Sequence, residues 1–111
     1  MTKVRIATKL TNEGYRIIRH GTEYGKSDLD YVPKRAGIYA LFHGDTLQYI
    51  GKSNDLSRRL KEWRFKSEIR DEYVPFGNCQ WFILRENQVS NAENVLICYY
   101  EPPYNVLRPC K

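Results

Sequence analysis

From Ala36 onward the apolar positions fall into two alternating periods. Gly37 to Phe42 is a short apolar run, Ile38-Tyr39-Ala40-Leu41-Phe42, and reads as a strand. His43-Gly44-Asp45-Thr46 is a turn, and Leu47 to Ile50 is the returning strand. The period then becomes helical. Asn54 or Asp55 caps a helix starting at Leu56, and Leu56, Leu60 and Trp63 recur as its core-facing stripe. Cys79 to Leu84, with Trp81, Phe82 and Ile83, reads as a third strand. Ser90 or Asn91 caps a second helix with Ala92, Val95, Leu96 and Tyr99 on its apolar face, and Pro102-Pro103 stops it. Residues 1–36 are polar and weakly patterned. Arg16-Ile17-Ile18-Arg19 suits a short strand, and Lys26 to Asp30 a loop. The pattern predicts hairpin, helix, strand, helix. This is an α/β (α+β) fold with a small three-stranded antiparallel sheet flanked by helices, residues 37–111 being the domain and 1–36 an N-terminal extension.

Register decides which hairpin side chains meet. With the turn centred on Gly44, opposed positions sum to 88 and Tyr39 faces Tyr49 directly, on the same side of the sheet. A sum of 89 would put the two rings on opposite faces. We expect the shared face, because two tyrosines on one side make a site.

Composition narrows the class. At 111 residues the chain suits one domain with a modest core, and 41% hydrophobic and 14% aromatic content favours folding over disorder. No apolar run approaches a membrane span, and Met1-Thr2-Lys3-Val4-Arg5 lacks a signal-peptide core, so a cytosolic protein without a membrane partner is expected. The cysteines are Cys79, Cys98 and Cys110, an odd set without a Cys-x-x-Cys pair. That argues against a disulfide framework or structural zinc and for buried or free thiols. Net charge is +5 and unevenly placed. Residues 52–70 carry seven basic side chains against three acids, whereas residues 71–111 carry three against five. Local basicity is an electrostatic footprint for polyanions, although charge alone favours a solvated helix face.

Gly37-Ile38-Tyr39, followed ten residues on by Tyr49-Ile50-Gly51, resembles the paired signature of the GIY-YIG nucleases. That superfamily includes homing endonucleases, some restriction enzymes and the nuclease subunit of bacterial excision repair. Gly51-Lys52-Ser53-Asn54-Asp55-Leu56-Ser57-Arg58-Arg59 resembles its loop and helix start. The resemblance places the family's catalytic arginine at Arg59 and its metal-binding glutamate at Glu93, and it matches a Pro-x-x-Asn type of ending to Pro103-Tyr104-Asn105. Five separated elements fall in order between residues 37 and 105. One position departs. Members carry a histidine or tyrosine one helical turn after the arginine, where this chain has Trp63, which cannot exchange a proton. At i+4 from Arg59 it is placed to stack on the guanidinium, but its place on the apolar stripe favours a core tryptophan.

The resemblance implies a metal-dependent DNA endonuclease, and the residues suit that chemistry. Hydrolysis of a phosphodiester needs an activated water, a cation near the scissile oxygens and a donor for developing charge. Mg²⁺ (or Mn²⁺) can be held by one carboxylate plus waters and substrate oxygens. Glu93 is the candidate ligand; without the resemblance it would be an exposed glutamate favouring a helix N-terminus. Arg59 offers a planar fork for phosphate. Tyr39 and Tyr49 position or deprotonate water, with Tyr49 the expected base and Lys52 and the metal supplying the positive charge that a phenol of pKa about 10 needs. Hairpin packing is the plainer role for both rings. Gly51 lets the backbone approach phosphate, and Asn105 orders the site through its amide. Lys52, Arg58, Arg59, Lys61, Arg64 and Lys66 form the expected DNA-binding face. Thr46 stands where a phosphate-binding GxxxxGK loop requires glycine, and His20 and His43 lack partners at metal or triad spacing. The alternatives are a DNA-binding module of the same fold with impaired catalysis and an interaction domain using the fold alone. Members gain specificity from an attached domain. Here residues 1–36 would form a recognition or dimer arm, or the enzyme would depend on a partner protein or on DNA structure, duplex or branched.

Overall fold

The computed structural model describes residues 4–24, 26–69, 74 and 76–105, with the side chains of 26–28 and 65–69 outside the description. Helix α1 (Ile6–Asn12) leads into β1 (Arg19–Tyr24), and a 3-10 turn (Lys26–Tyr31) precedes the hairpin β2 (Gly37–His43) and β3 (Thr46–Ser53). Helix α2 (Leu56–Ile69), strand β4 (Asn78–Ile83), helix α3 (Glu86–Tyr100) and a second 3-10 turn (Pro103–Asn105) complete the order. The sheet is antiparallel with strand order β1-β4-β2-β3.

The expected hairpin, helix, strand and helix are all present. The sheet has four strands rather than three, because Arg19–Tyr24 pairs along β4, with Arg19 opposite Ile83 and Tyr24 opposite Asn78. This strand lies just after the predicted Arg16–Arg19 segment. Its alternation is hidden because only Gly21 and Glu23 are half-buried. Helix α3 begins at Glu86, a turn before the expected caps, so Ser90 and Asn91 lie inside it. Val89 explains the earlier start, since it extends the buried stripe of Ala92, Leu96 and Ile97 by one turn. For α2 the cap is Asp55, whose Oδ1 accepts the Arg58 N–H at 3.0 Å. The carbonyls of Arg35 and Pro33 accept the N–H groups of Leu56 and Ser57, fixing where this helix leaves the hairpin.

Alternation along the strands sends two apolar sets to opposite faces. Ile38, Ala40, Phe42, Ile50 and Phe82 pack with Ile6 and Leu10 of α1 and with Val89, Ala92 and Leu96 of α3. Tyr39, Leu41, Trp81 and Ile83 pack with Leu56 and Leu60 of α2 and with Leu29 and Val32. The N-terminal 36 residues therefore contribute to both cores. Cys79 is a buried free thiol as expected, whereas Cys98 is disulfide-bonded, against the expectation of free thiols. Cys110 lies outside the described residues.

Candidate active site

Tyr39 and Tyr49 do share the α2 face, but not by the expected register. Tyr39 lies opposite Gly51, and Tyr49 opposite Leu41, so these positions sum to 90. Nearer the turn, His43 opposes Thr46 and Phe42 opposes Leu47, which sum to 89. The shift between Leu41 and Phe42 leaves Gln48 as an extra residue in β3. Had the turn register run on, Tyr49 would oppose Ala40 and face away from Tyr39. The bulge returns it to the same side, diagonal to Tyr39, with ring centroids 6.2 Å apart. Gly51 sits beneath the Tyr39 ring, where a Cβ would collide with Cζ and the hydroxyl.

Helix α2 supplies the rest of this face. Trp63 Nε1–H donates to the Tyr39 hydroxyl oxygen at 2.6 Å, and its ring lies 5.0 Å from that of Tyr49. Arg59 stands one turn earlier on the same helix, near enough for its charge to act on Tyr39. Tyr39 is fully buried. Burial and the nearby Tyr49 push its pKa well above the ordinary phenol value, and the Trp63 donor and the Arg59 charge offset this only in part. Glu62 carries a role that the motif pattern did not suggest. Its carboxylate meets Arg59 Nη1 at 3.2 Å and Arg58 Nη1 at 3.4 Å, contacts readable in principle from i,i+3 and i,i+4 spacing.

Lys52 leaves the other face of β3 and donates from Nζ to Ser90 Oγ on α3 at 2.8 Å. Glu93 lies one turn beyond Ser90 on the same flank of that helix and is 3% exposed. It is thus a buried carboxylate, not the exposed N-terminal-turn glutamate that spacing alone suggests. Asn105 grips the central residue of Tyr49-Ile50-Gly51, its Oδ1 accepting the Ile50 N–H at 2.9 Å and its Nδ2 donating to the Ile50 carbonyl at 2.8 Å. The expected basic face is partly internally paired. Arg58 also donates to Asn54 at 3.1 Å, and Lys61 pairs with Asp30 at 3.2 Å. Arg64 is half-buried, and the Lys66 side chain lies outside the described residues. Among the described residues no three His, Cys, Asp or Glu side chains cluster as a metal cage. A buried carboxylate such as Glu93 suits a hard cation whose other ligands are waters and phosphate oxygens.

No family model matches the chain. UvrABC system protein C of Aquifex aeolicus is 33% identical over 81 residues, which cover 68% of this chain and 14% of that protein. The Synechococcus protein of the same name is 32% identical over 95 residues, covering 79% of this chain and 15% of the relative. The chain thus spans about one-seventh of the curated relatives it matches. A crystal structure of the GIY-YIG N-terminal endonuclease domain of UvrC from Thermotoga maritima, bound to magnesium as its catalytic divalent cation, superposes with a TM-score of 0.56. It is 26% identical, and the match covers 72% of this chain and 93% of that domain. The chain shares the fold of that domain and is 33% identical to a UvrC over more than two-thirds of its own length, and it belongs to the GIY-YIG nuclease superfamily.

Proposed function

We propose that the chain is a metal-dependent DNA endonuclease that hydrolyses phosphodiester bonds with Tyr39, Tyr49, Arg59 and a divalent cation held by Glu93. The observation that carries this reading is the convergence of Arg59, Tyr39 and Tyr49 on one face of the hairpin. A buried carboxylate stands on the helix tethered to the same strand by Lys52. The magnesium-bound relative supports the choice of Mg²⁺, with Mn²⁺ as its close substitute.

Glu93 is the residue that holds the cation, which when bound polarises the scissile phosphate. Arg59 exchanges Glu62 for a phosphate oxygen and stabilises the charge that develops there. Half-buried Tyr49 is the tyrosine that can meet water, and it takes the proton of the attacking nucleophile. Tyr39 does not meet bulk water and orients Arg59 from beneath. Lys52 adds positive charge at the end of β3, and Asn105 fixes that strand. Arg58, Lys61 and Arg64 lie along or beside the helix that faces DNA, with Lys66 assigned there by sequence. Intracellular placement suits a DNA substrate, and no described helix is long and apolar enough to cross a membrane. Target choice comes from DNA structure, duplex or branched, from a second copy or from a partner protein. The edge position of β1 supports a contact of residues 1–36 with such a partner.

Nicking of supercoiled plasmid in Mg²⁺ tests the reading. Wild type converts it to open circle, EDTA stops the reaction, and Glu93→Ala lowers the rate by a factor of about 1,000 or more. Trp63, at the position where relatives can exchange a proton, favours a second reading, a DNA-binding module with impaired catalysis. Retained binding without nicking by wild type in Mg²⁺ or Mn²⁺ would select it.

A further inference from the structure

We infer that Trp63 is a positioning residue, which by its indole N–H and its ring sets Tyr39 and Tyr49 in one fixed arrangement beside Arg59. This rests on the nuclease reading above. The sequence favours a core tryptophan, and the structure gives that side chain a second, polar task. Its Nε1–H donates to the Tyr39 oxygen at 2.6 Å while its ring packs at 5.0 Å and 52° on Tyr49. Tyr39 and Tyr49 are farther apart, at 6.2 Å, so the indole bridges the pair. The Arg59 charge acts on the Tyr39 phenol from one helical turn away. One donor and one positive charge carried by the same helix therefore act on one buried hydroxyl.

A phenolic oxygen has two acceptor positions and one proton. Trp63 fills one acceptor position, and burial keeps bulk water from the rest of the hydroxyl. Tyr39 is thus not the group that takes the nucleophile's proton, and Tyr49 is left with that task. An indole N–H donates only, so residue 63 keeps the orientation and gives up proton relay. A histidine at this position would do both, and a phenylalanine neither.

The test compares Trp63→Phe with Trp63→His in the full chain. Phenylalanine keeps apolar bulk and loses the donor, and histidine restores an N–H. We expect W63F to lower kcat for plasmid nicking about 10- to 100-fold with KM changed less than about threefold, and W63H to recover most of the loss. Equal kcat in wild type and W63F, or equal loss in W63F and W63H with both folded, would overturn the inference. A readout independent of activity covers poorly folded variants. The chain has two tryptophans, Trp63 and Trp81, hence two indole N–H resonances. Tyr39→Phe should move the Trp63 resonance upfield and speed its exchange while leaving that of Trp81 near its place. An unmoved Trp63 resonance refutes the hydrogen bond. Absence of nicking by wild type, with that resonance shifted as expected, would instead count against the nuclease reading and leave the contact established.

Discussion

The space above Gly51 is filled by the Tyr39 ring, so the glycine of the second tripeptide is explained by packing before any phosphate is considered. A methyl group there must push the ring or bend β3. The ring is held from the other side by Trp63 and is fully buried, so it has little room to yield. Gly51→Ala is therefore expected to cost about 1–3 kcal/mol, as an overpacked core position does, and to abolish nicking because Tyr39 leaves Arg59. Urea unfolding with a parallel plasmid assay measures both, and unchanged stability would contradict the contact. The residue scale was legible unevenly. Tyr39, Tyr49, Gly51, Arg59, Glu93 and Asn105 stand out as candidates because motif spacing marks them. The grip of Asn105 on both polar groups of Ile50 could not, because it joins residues 55 apart through a side-chain amide. Nor could the burial of Glu93, since a lone carboxylate on a helix is ordinarily solvated.

At the scale of the element, the bulge in β3 decides the site. A one-residue slip in a strand turns every following side chain to the other face. The turn register alone would have separated the two tyrosines, and Gln48 absorbs that slip. Turn residues suggest where a hairpin bends, but the ladder on either side of a bulge obeys two registers, which apolar alternation over so short a strand does not distinguish. This gives an unusual expectation for a deletion. Removing Gln48 shortens β3 by its unpaired residue, so Tyr49 still falls opposite Leu41 and still faces Tyr39. The deletion variant should fold and keep nicking activity within about tenfold of wild type, the loss reflecting reduced local twist. A far-ultraviolet circular dichroism spectrum and the plasmid assay check it. An inactive but folded variant would mean that the curvature of the bulge, and not only its register, places Tyr49.

Across the whole molecule, the sheet is covered on both faces, and the segment read as an extension completes it. Residues 1–36 lack a clean period because α1 buries only Ile6 and Leu10 and β1 lies at an edge. Such elements take their stability from tertiary contact rather than from their own pattern. Sheet burial reaches Cys79 on β4, and there it makes stability depend on pH. Burial, reinforced by Glu23, pushes the Cys79 thiol up to about 12 from an ordinary value of 9.0. In the unfolded chain the thiol loses its proton near its ordinary value. Between these two points the folded state holds a proton that the unfolded state has released, so raising the pH favours unfolding. The contribution is complete below about pH 9 and is lost as pH climbs toward about 12. The raised phenol of Tyr39 acts with the same sign, starting from its ordinary value near 10. Unfolding free energies from urea titrations between pH 8 and 10.5 should therefore fall, by at most about 1.4 kcal/mol per pH unit for each proton. Cys79→Ala should lower stability at pH 8 by opening a small cavity, yet flatten the decline between pH 9 and 10, where the thiol is the earlier group to titrate. A decline equally steep in the variant would assign the alkaline transition to other groups.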